Sequence, residues 1–355
     1  MEVIDIIRIY DKDSSVEWNN IVKSFNNWDV YYLCEYAVPL MLHGDGEPYL
    51  IYYNDGTDRF CYVVMQKDIA NDIRFANQLE KGKLYDWETP YGYGGPLSDS
   101  PITEYGTARF QKELAEYCDS RGVISQFARF HPLLENYGLL PALFEKSYMW
   151  DTVYIETKNP QQIMADMDSK NRNMIRKAAK NGISIRRCDI SDIEAFIPMY
   201  EGTMNRNAAT EYYDFAADYY ESLKQMRDNA CIFYAFFEGR AISASIMLYN
   251  ERFMHYHLSG SDADYRSLSP NNLLLYEAAC WASGQGIERF HLGGGMAPDD
   301  SLFGFKKQFS KNGRSKFMIG RTIFNETAYR RLLDIRRHAD SSFDMDNGHL
   351  IQYRG

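Results

Sequence analysis

Three stretches in the second half of this 355-residue chain place reactive side chains and glycines where chemistry can use them. His255-Tyr256-His257 lies in the alternating run RFMHYHL. As a strand, that run turns His255 and His257 to one face and Tyr256 to the other. An imidazole there can move a proton near neutral pH, or simply serve as a hydrogen-bonded core histidine. Two histidines on one strand face also suit a metal ion, but no carboxylate or third histidine follows at ligand spacing, so no metal is expected. Asp262 is a further candidate base. Next, Ser267-Leu268-Ser269-Pro270-Asn271-Asn272 directly precedes an apolar helical run. The free N–H groups at such a helix start can hold a phosphate, while the same residues also suit ordinary capping, with Ser269 as the cap and Pro270 in the first turn. Then His291-Leu292-Gly293-Gly294-Gly295 ends a strand-like run, and Phe305-Lys306-Lys307-Gln308-Phe309 follows. Glycines let a ligand or another backbone approach closely, and Lys306 between two aromatics can hold an anion or a developing oxyanion.

The surrounding pattern predicts the elements that must position these residues. Gly46 to Asp68 reads as a hairpin around Asn54-Asp55-Gly56, Tyr105 to Ser120 as a helix stopped at Gly122, and Val123 to His131 as a strand. Ala230 to Leu258 holds three strands, Pro270 to Ser283 a helix ending at Gly284-Gln285-Gly286, and Ile287 to Leu292 a strand. Both halves therefore run through a hairpin, a helix, a glycine stop and a strand ending near a histidine, as a duplicated mixed α/β domain would. The division is expected between Trp150 and Pro160. Helices are also expected over Asp192 to Tyr200 and, as one long amphipathic element, over Tyr212 to Arg227. The opening MEVIDIIRIYDKD reads as a first strand and not as a secretory signal, no run approaches membrane-spanning length, and a cytoplasmic protein is expected. Six scattered cysteines without a C-x-x-C pair fit reduced thiols.

Charge sharpens this picture. The net charge of −10 argues against a surface coated for nonspecific nucleic-acid binding. Resolved by position, the excess of acid lies entirely in residues 1–150, which hold 13 basic and 23 acidic side chains. Two acid-free basic islands stand out in the remainder, with seven basic residues over Ser169 to Arg187 and six over Phe305 to Arg321. They read either as local fields for an anionic ligand or as solvated faces.

Taken in order, SKNRNMIRKAAKNGISIR (Ser169 to Arg186), SPNNLLLYEAACWASGQGIERFHLGGG (Ser269 to Gly295) and FGFKKQF (Phe303 to Phe309) resemble the FemAB-like branch of the GNAT acyltransferase superfamily. TPYGYGGP (Thr89 to Pro96) and RFHPLLEN (Arg129 to Asn136) resemble its first-domain counterparts. The resemblance implies an α/β (α+β) fold of two tandem GNAT-like domains, residues 1–152 and 153–355, each a mixed twisted sheet flanked by helices. It further implies transfer of an acyl or aminoacyl group to an amine. The backbone of His257 to Ser259 would polarise the donor carbonyl, and Ser259, Ser269, Asn271 and Asn272 would hold the donor. Lys306 matches the lysine of the family's Phe-Lys-x-x-Phe element and joins His257, Tyr256 and His291 as the catalytic candidates, while Arg206 and Tyr91 would recognise the acceptor. The usual Arg/Gln-x-x-Gly-x-Gly/Ala phosphate loop is absent, as it generally is in this branch. With no heptad arm and an acidic first domain, the favoured donor is acyl-CoA, acetyl-CoA above all. The acceptor is an amine of an amino sugar, amino acid or cell-envelope precursor. The alternatives are aminoacyl-tRNA-dependent peptidoglycan amino-acid transfer, in which tRNA is the partner, and a non-catalytic GNAT-like protein that binds an anionic ligand.

Overall fold

The computed structural model describes residues 6–349 and 351–355. The expected first strand is present as β1 (Ile7–Tyr10), and the first five residues of that stretch lie outside the described residues. The chain divides into two compact units, Met1–Met149 with Phe317–Gly355, and Trp150–Lys316.

In the first unit, helices α1 (Ser15–Lys23) and α2 (Cys34–His43) lead into the hairpin β2 (Glu47–Asn54) and β3 (Arg59–Asp68). The hairpin turns where expected because the Asp55 carboxylate accepts from the N–H groups of Thr57 and Asp58. β4 (Tyr85–Glu88), α3 (Glu104–Arg121) and β5 (Val123–Arg129) follow, with β4 and β5 parallel. Thr103 caps α3 by accepting from Gly106 N–H at 3.0 Å, and the buried Asp58 carboxylate accepts from the Thr103 N–H at 3.1 Å and from its hydroxyl. The helix start therefore carries its own anion. Inward-facing residues of the sheet, among them Tyr53, Phe60, Tyr62 and Trp87, pack on Phe110, Leu114 and Cys118 of α3.

The second unit contains the end of β6 (Glu145–Glu156), then α4 (Pro160–Ala165), α5 (Ser169–Lys180), β7 (Ser184–Asp189), α6 (Ile197–Arg206), α7 (Ala217–Leu223), β8 (Ala230–Phe237), β9 (Arg240–Tyr249), β10 (Phe253–Ser261), α8 (Pro270–Gly284), β11 (Arg289–Gly293) and α9 (Ser301–Lys307). Its strand order is β6-β11-β10-β9-β8-β7, with only β10 and β11 parallel. α8 carries Leu273, Leu274, Leu275, Ala278, Ala279 and Ala282, all buried against Val153, Met254, Phe290 and Leu292. α5 is amphipathic, burying Asn171, Ile175 and Ala178 and leaving Lys170, Arg176, Lys177 and Lys180 exposed. Each unit therefore contains a strand, a helix, a left-handed glycine (Gly122 or Gly286) and a parallel strand, which is the repeat anticipated from sequence.

Three expectations are corrected. Residues 317–355 do not stay with the second half: β12 (Arg314–Ile323) pairs antiparallel with β5 over Ile319–Ile323, and α10 (Glu326–Ala339) buries Tyr329, Leu332 and Leu333 with Phe75 and Ile124 of the first unit. Tyr212 to Arg227 is not one helix, because α7 is flanked by separate single turns at Glu211–Tyr213 and Lys224–Met226. Its aromatics pack on one another instead of forming one stripe; the Phe215 and Tyr219 rings stack at 4.0 Å. Asp192 to Tyr200 likewise begins as a tight turn that kinks at Asp192 before α6 starts at Ile197. Among the described residues no helix is long and apolar enough to cross a membrane. All six cysteines are free thiols.

Candidate functional site

The site is built on β9 and β10 of the second unit. Their pairing slips by one residue, so that Tyr256 faces Met247 and Leu258 already faces Ile246, leaving His257 as the extra residue of a bulge. A one-residue slip reverses which face the following side chains occupy. Ser259 is thereby brought to the same face as Tyr256, where its hydroxyl accepts from Ser245 Oγ at 2.9 Å. Along β9, Ser243 continues the row and bonds the side chain of Asn271 at the start of α8. Ser243 and Ser245 are buried, so the serines are not solvent-facing spacers.

Lys306 closes the other end of this row. It extends from the last turn of α9, is 8% exposed, donates to the Gly294 carbonyl at 2.7 Å and lies 5.8 Å from the centre of the Tyr256 ring. Burial pushes its ammonium down to about 8, against a smaller upward pull from Asp300. A lysine so placed is part ammonium and part amine near neutral pH. Burial also raises the Tyr256 hydroxyl, although bonds with Ser259 and Ser245 oppose it, so this tyrosine keeps its proton.

The histidines lie elsewhere in the unit. His255 and His291 are register partners on neighbouring strands, both buried, with rings in edge-to-face contact at 5.7 Å. His291 Nε2 lies 2.9 Å from Thr152 Oγ1. Both residues alternate with core residues (Met254; Phe290 and Leu292) that face α8, so their side chains take the opposite face. His257 is 3.4 Å from the Tyr219 hydroxyl, and burial together with neighbouring His255 pushes it down to about 3. An imidazole with that pKa is neutral and accepts hydrogen bonds well, but it is a weak proton acceptor.

The donor-site candidates fall at the helix start. Pro270 occupies the first turn of α8 as expected, but Ser269 does not cap it; its φ of 59° is left-handed and its side chain makes no cap bond. Asn272 donates to Asn171 on α5 at 2.8 Å, and Asn171 donates to the Gln308 carbonyl at 3.3 Å, two residues beyond Lys306. A fully buried asparagine thus ties α8 to the segment carrying the lysine. Asp262 is engaged in an ion pair with Arg240 at 2.8 Å. Arg206 ends α6 and donates to the Ser261 carbonyl at 2.6 Å. Tyr91, in the first unit, receives the Tyr36 hydroxyl on its carbonyl at 2.5 Å.

Within the second unit the structure therefore gathers Lys306, Tyr256, Ser259 and Asn271 along one face and sends His257 and His291 to the other. Sequence reasoning missed Ser243, Ser245, Asn171 and Asp300. The alternating serines of AISASIML, inside an otherwise apolar strand, were the available signal for the first two. Of the two basic islands, the first keeps an exposed row on α5, with Arg186 and Arg187 stacked over Phe236 and Trp281. The second disperses: Lys306 is buried, Arg314 bonds the carbonyls of Ser310 and Gly313, and Arg321 pairs with Glu145.

Residues 167–307 match the acetyltransferase (GNAT) domain family. No curated protein sequence matches the chain. Among solved structures the fold is similar to that of FemX (TM-score 0.68, 14% identity, covering 90% of this chain and 98% of that one). It is also similar to L-PGS from Bacillus licheniformis (TM-score 0.56, 11% identity, 92% and 97% covered). A third similar fold is the C-terminal domain of a protein assigned as a lysylphosphatidylglycerol synthetase in Agrobacterium fabrum (TM-score 0.56, 12% identity, 92% and 96% covered). Residues 167–307, which contain the serine row, the bulge and Lys306, are thus the part of the chain that matches the acetyltransferase (GNAT) domain family, and the fold around them is similar to that of FemX.

Proposed function

We propose that the chain is an N-acyltransferase that moves an acyl group from acyl-CoA to an amine of an amino sugar, an amino acid or a cell-envelope precursor. The observation that carries this reading is the polar row of Asn271, Ser243, Ser245, Ser259 and Tyr256, buried at Ser243 and Ser245 and half-buried elsewhere, which runs from a helix start without a side-chain cap to Lys306. The helix start suits the donor's phosphates. The N–H groups of the bulged strand, at His257 to Ser259, suit the donor carbonyl. The acceptor amine attacks that carbonyl carbon, and the Lys306 ammonium offsets the charge that develops on its oxygen. On collapse the carbon–sulfur bond breaks and the departing thiolate takes the Tyr256 proton. The acylated nitrogen then sheds a proton, which restores Tyr256. Ser259, Ser269, Asn271 and Asn272 are the donor contacts in this reading, Arg206 contacts the acceptor, and His257 and His291 support the strand rather than transfer the proton. The reaction belongs to the cytoplasm, where such donors are made.

Aminoacyl-tRNA as donor is the second reading. The exposed Lys170, Arg176, Lys177 and Lys180 of α5 favour it, since Lys177 reaches the Ser267 carbonyl beside the start of α8 and such a row can neutralise backbone phosphates. Thermal unfolding separates the two. Stabilisation that grows with acetyl-CoA concentration, by about 3 kcal/mol at one hundred times Kd, supports the first. Stabilisation by aminoacyl-tRNA with none from millimolar acetyl-CoA supports the second, and the response to neither, with no transfer across a panel of amines, leaves a ligand-binding protein without catalysis.

A further inference from the structure

Between β11 and α9 the chain passes through Gly293-Gly294-Gly295-Met296-Ala297 and reaches Asp300, which caps α9. The Asp300 carboxylate does more than cap. Its Oδ1 accepts from Phe303 N–H at 2.7 Å, while its Oδ2 turns back and accepts from Met296 N–H at 2.7 Å and Ala297 N–H at 3.2 Å. One oxygen therefore serves the helix and the other serves the loop. The fit is close: a Cβ on Gly295 would stand 2.2 Å from Asp300 Oδ1, so only glycine admits the carboxylate there. Six residues further on, at the opposite end of α9, Lys306 Nζ grips the carbonyl of Gly294 in the same loop. The loop is held at two points, its N–H groups by Asp300 and its carbonyl by Lys306.

We propose that Asp300 is a positioning residue for the transfer reaction: by closing the Gly293–Ala297 loop onto the start of α9 it fixes the Gly294 carbonyl, and through it the place and burial of Lys306 Nζ. The inference rests on the acyltransferase reading for its purpose but not for its test. Asp300→Asn is the informative substitution. The amide oxygen still caps Phe303, whereas the amide nitrogen, itself a donor, meets the N–H groups of Met296 and Ala297 and cannot hold them.

Competitive labelling of lysines with acetic anhydride across pH, read by mass spectrometry, reports the titration of Lys306 without turnover. If Asp300 acted only through its charge, neutralising it would lower the Lys306 titration midpoint, because a neighbouring carboxylate favours the ammonium. If Asp300 holds the loop, the loop opens, water reaches the lysine, and the midpoint rises from about 8 toward 10.5, the value of an exposed lysine. A rise of one pH unit or more in Asp300→Asn is the expected result. A fall, or no change, overturns the proposal. Asp300→Ala should shift the midpoint the same way, and the circular dichroism spectrum of both variants should stay that of the parent chain. A raised midpoint in a protein that shows no transfer would retain the positioning role and remove the acyltransferase reading, so the two fail separately.

Discussion

Lys306 provides a quantitative test of how the site is built. Holding a buried ammonium near pKa 8 instead of 10.5 means that the folded protein disfavours the charged form by about 3 kcal/mol relative to the unfolded chain. The sign follows from linkage. Between these two values the unfolded chain binds a proton that the folded one does not, so stability rises with pH. The cost is fully present below pH 8 and disappears as pH approaches that of an exposed lysine. Lys306→Met keeps much of the apolar stem and removes the charge. It also leaves the Gly294 carbonyl without its partner, a roughly constant loss of about 1–3 kcal/mol. Relative to the parent chain, the variant should therefore lose about 2–3 kcal/mol of advantage between pH 7 and pH 10, whatever its offset at pH 7. Urea titrations followed by far-ultraviolet circular dichroism at four pH values measure this difference directly, and other titrating groups cancel in the comparison. A variant-minus-parent difference that is flat across this range would show that Lys306 is solvated and that the burial described here is wrong.

Other outcomes follow from the same geometry. Tyr256→Phe should leave the fold intact and lower the transfer rate about 100-fold or more, read as kcat with acetyl-CoA and the best acceptor amine. Asn171→Leu removes the acceptor of Asn272 and the donor to the Gln308 carbonyl, and should cost about 1–3 kcal/mol in urea unfolding. Gly260→Ala should lower stability by about 1–3 kcal/mol, because its Cβ would lie 2.5 Å from the backbone of Met199 and Tyr200, which cannot yield as a flexible side chain would. His257→Gln should leave the pH dependence of transfer between pH 5 and 8 unchanged, since an imidazole held at about 3 does not titrate there.

Much of the scaffold was legible because its signals are local. Asn54-Asp55-Gly56 announces a turn whose bonds come from Asp55 itself, Gly122 and Gly286 end their helices in left-handed geometry, and the alternation in β8 to β10 is that of strands with a buried face. Lys306 was legible as a residue type in a motif, although its depth and its Gly294 partner were not. What escaped depends on partners distant in sequence. The bulge at Tyr256 to Leu258 is a property of how β10 meets β9, and without it Ser259 would be assigned to the wrong face. The second basic island looked continuous only because charge counting ignores where side chains go, and Arg314 and Arg321 are spent on local carbonyls and an ion pair. The return of residues 317–355 to the first unit is decided by β12 pairing with β5, a contact between segments about 190 residues apart that no short-range pattern encodes.

The two strand–helix–strand crossovers differ in one respect that bears on how the chain would respond to its surroundings. At the start of α3 a carboxylate from the hairpin turn, Asp58, permanently supplies the negative charge that a helix start attracts, whereas α8 begins at a left-handed Ser269 without a side-chain cap. The first crossover is thus self-sufficient and indifferent to ionic composition. On the acyltransferase reading proposed above, the second takes its anion from the donor, so its local opening should slow as phosphate-bearing solutes accumulate. Amide exchange at the two helix starts, compared with and without such a solute, would then diverge within a single molecule, with α3 serving as the built-in reference for α8.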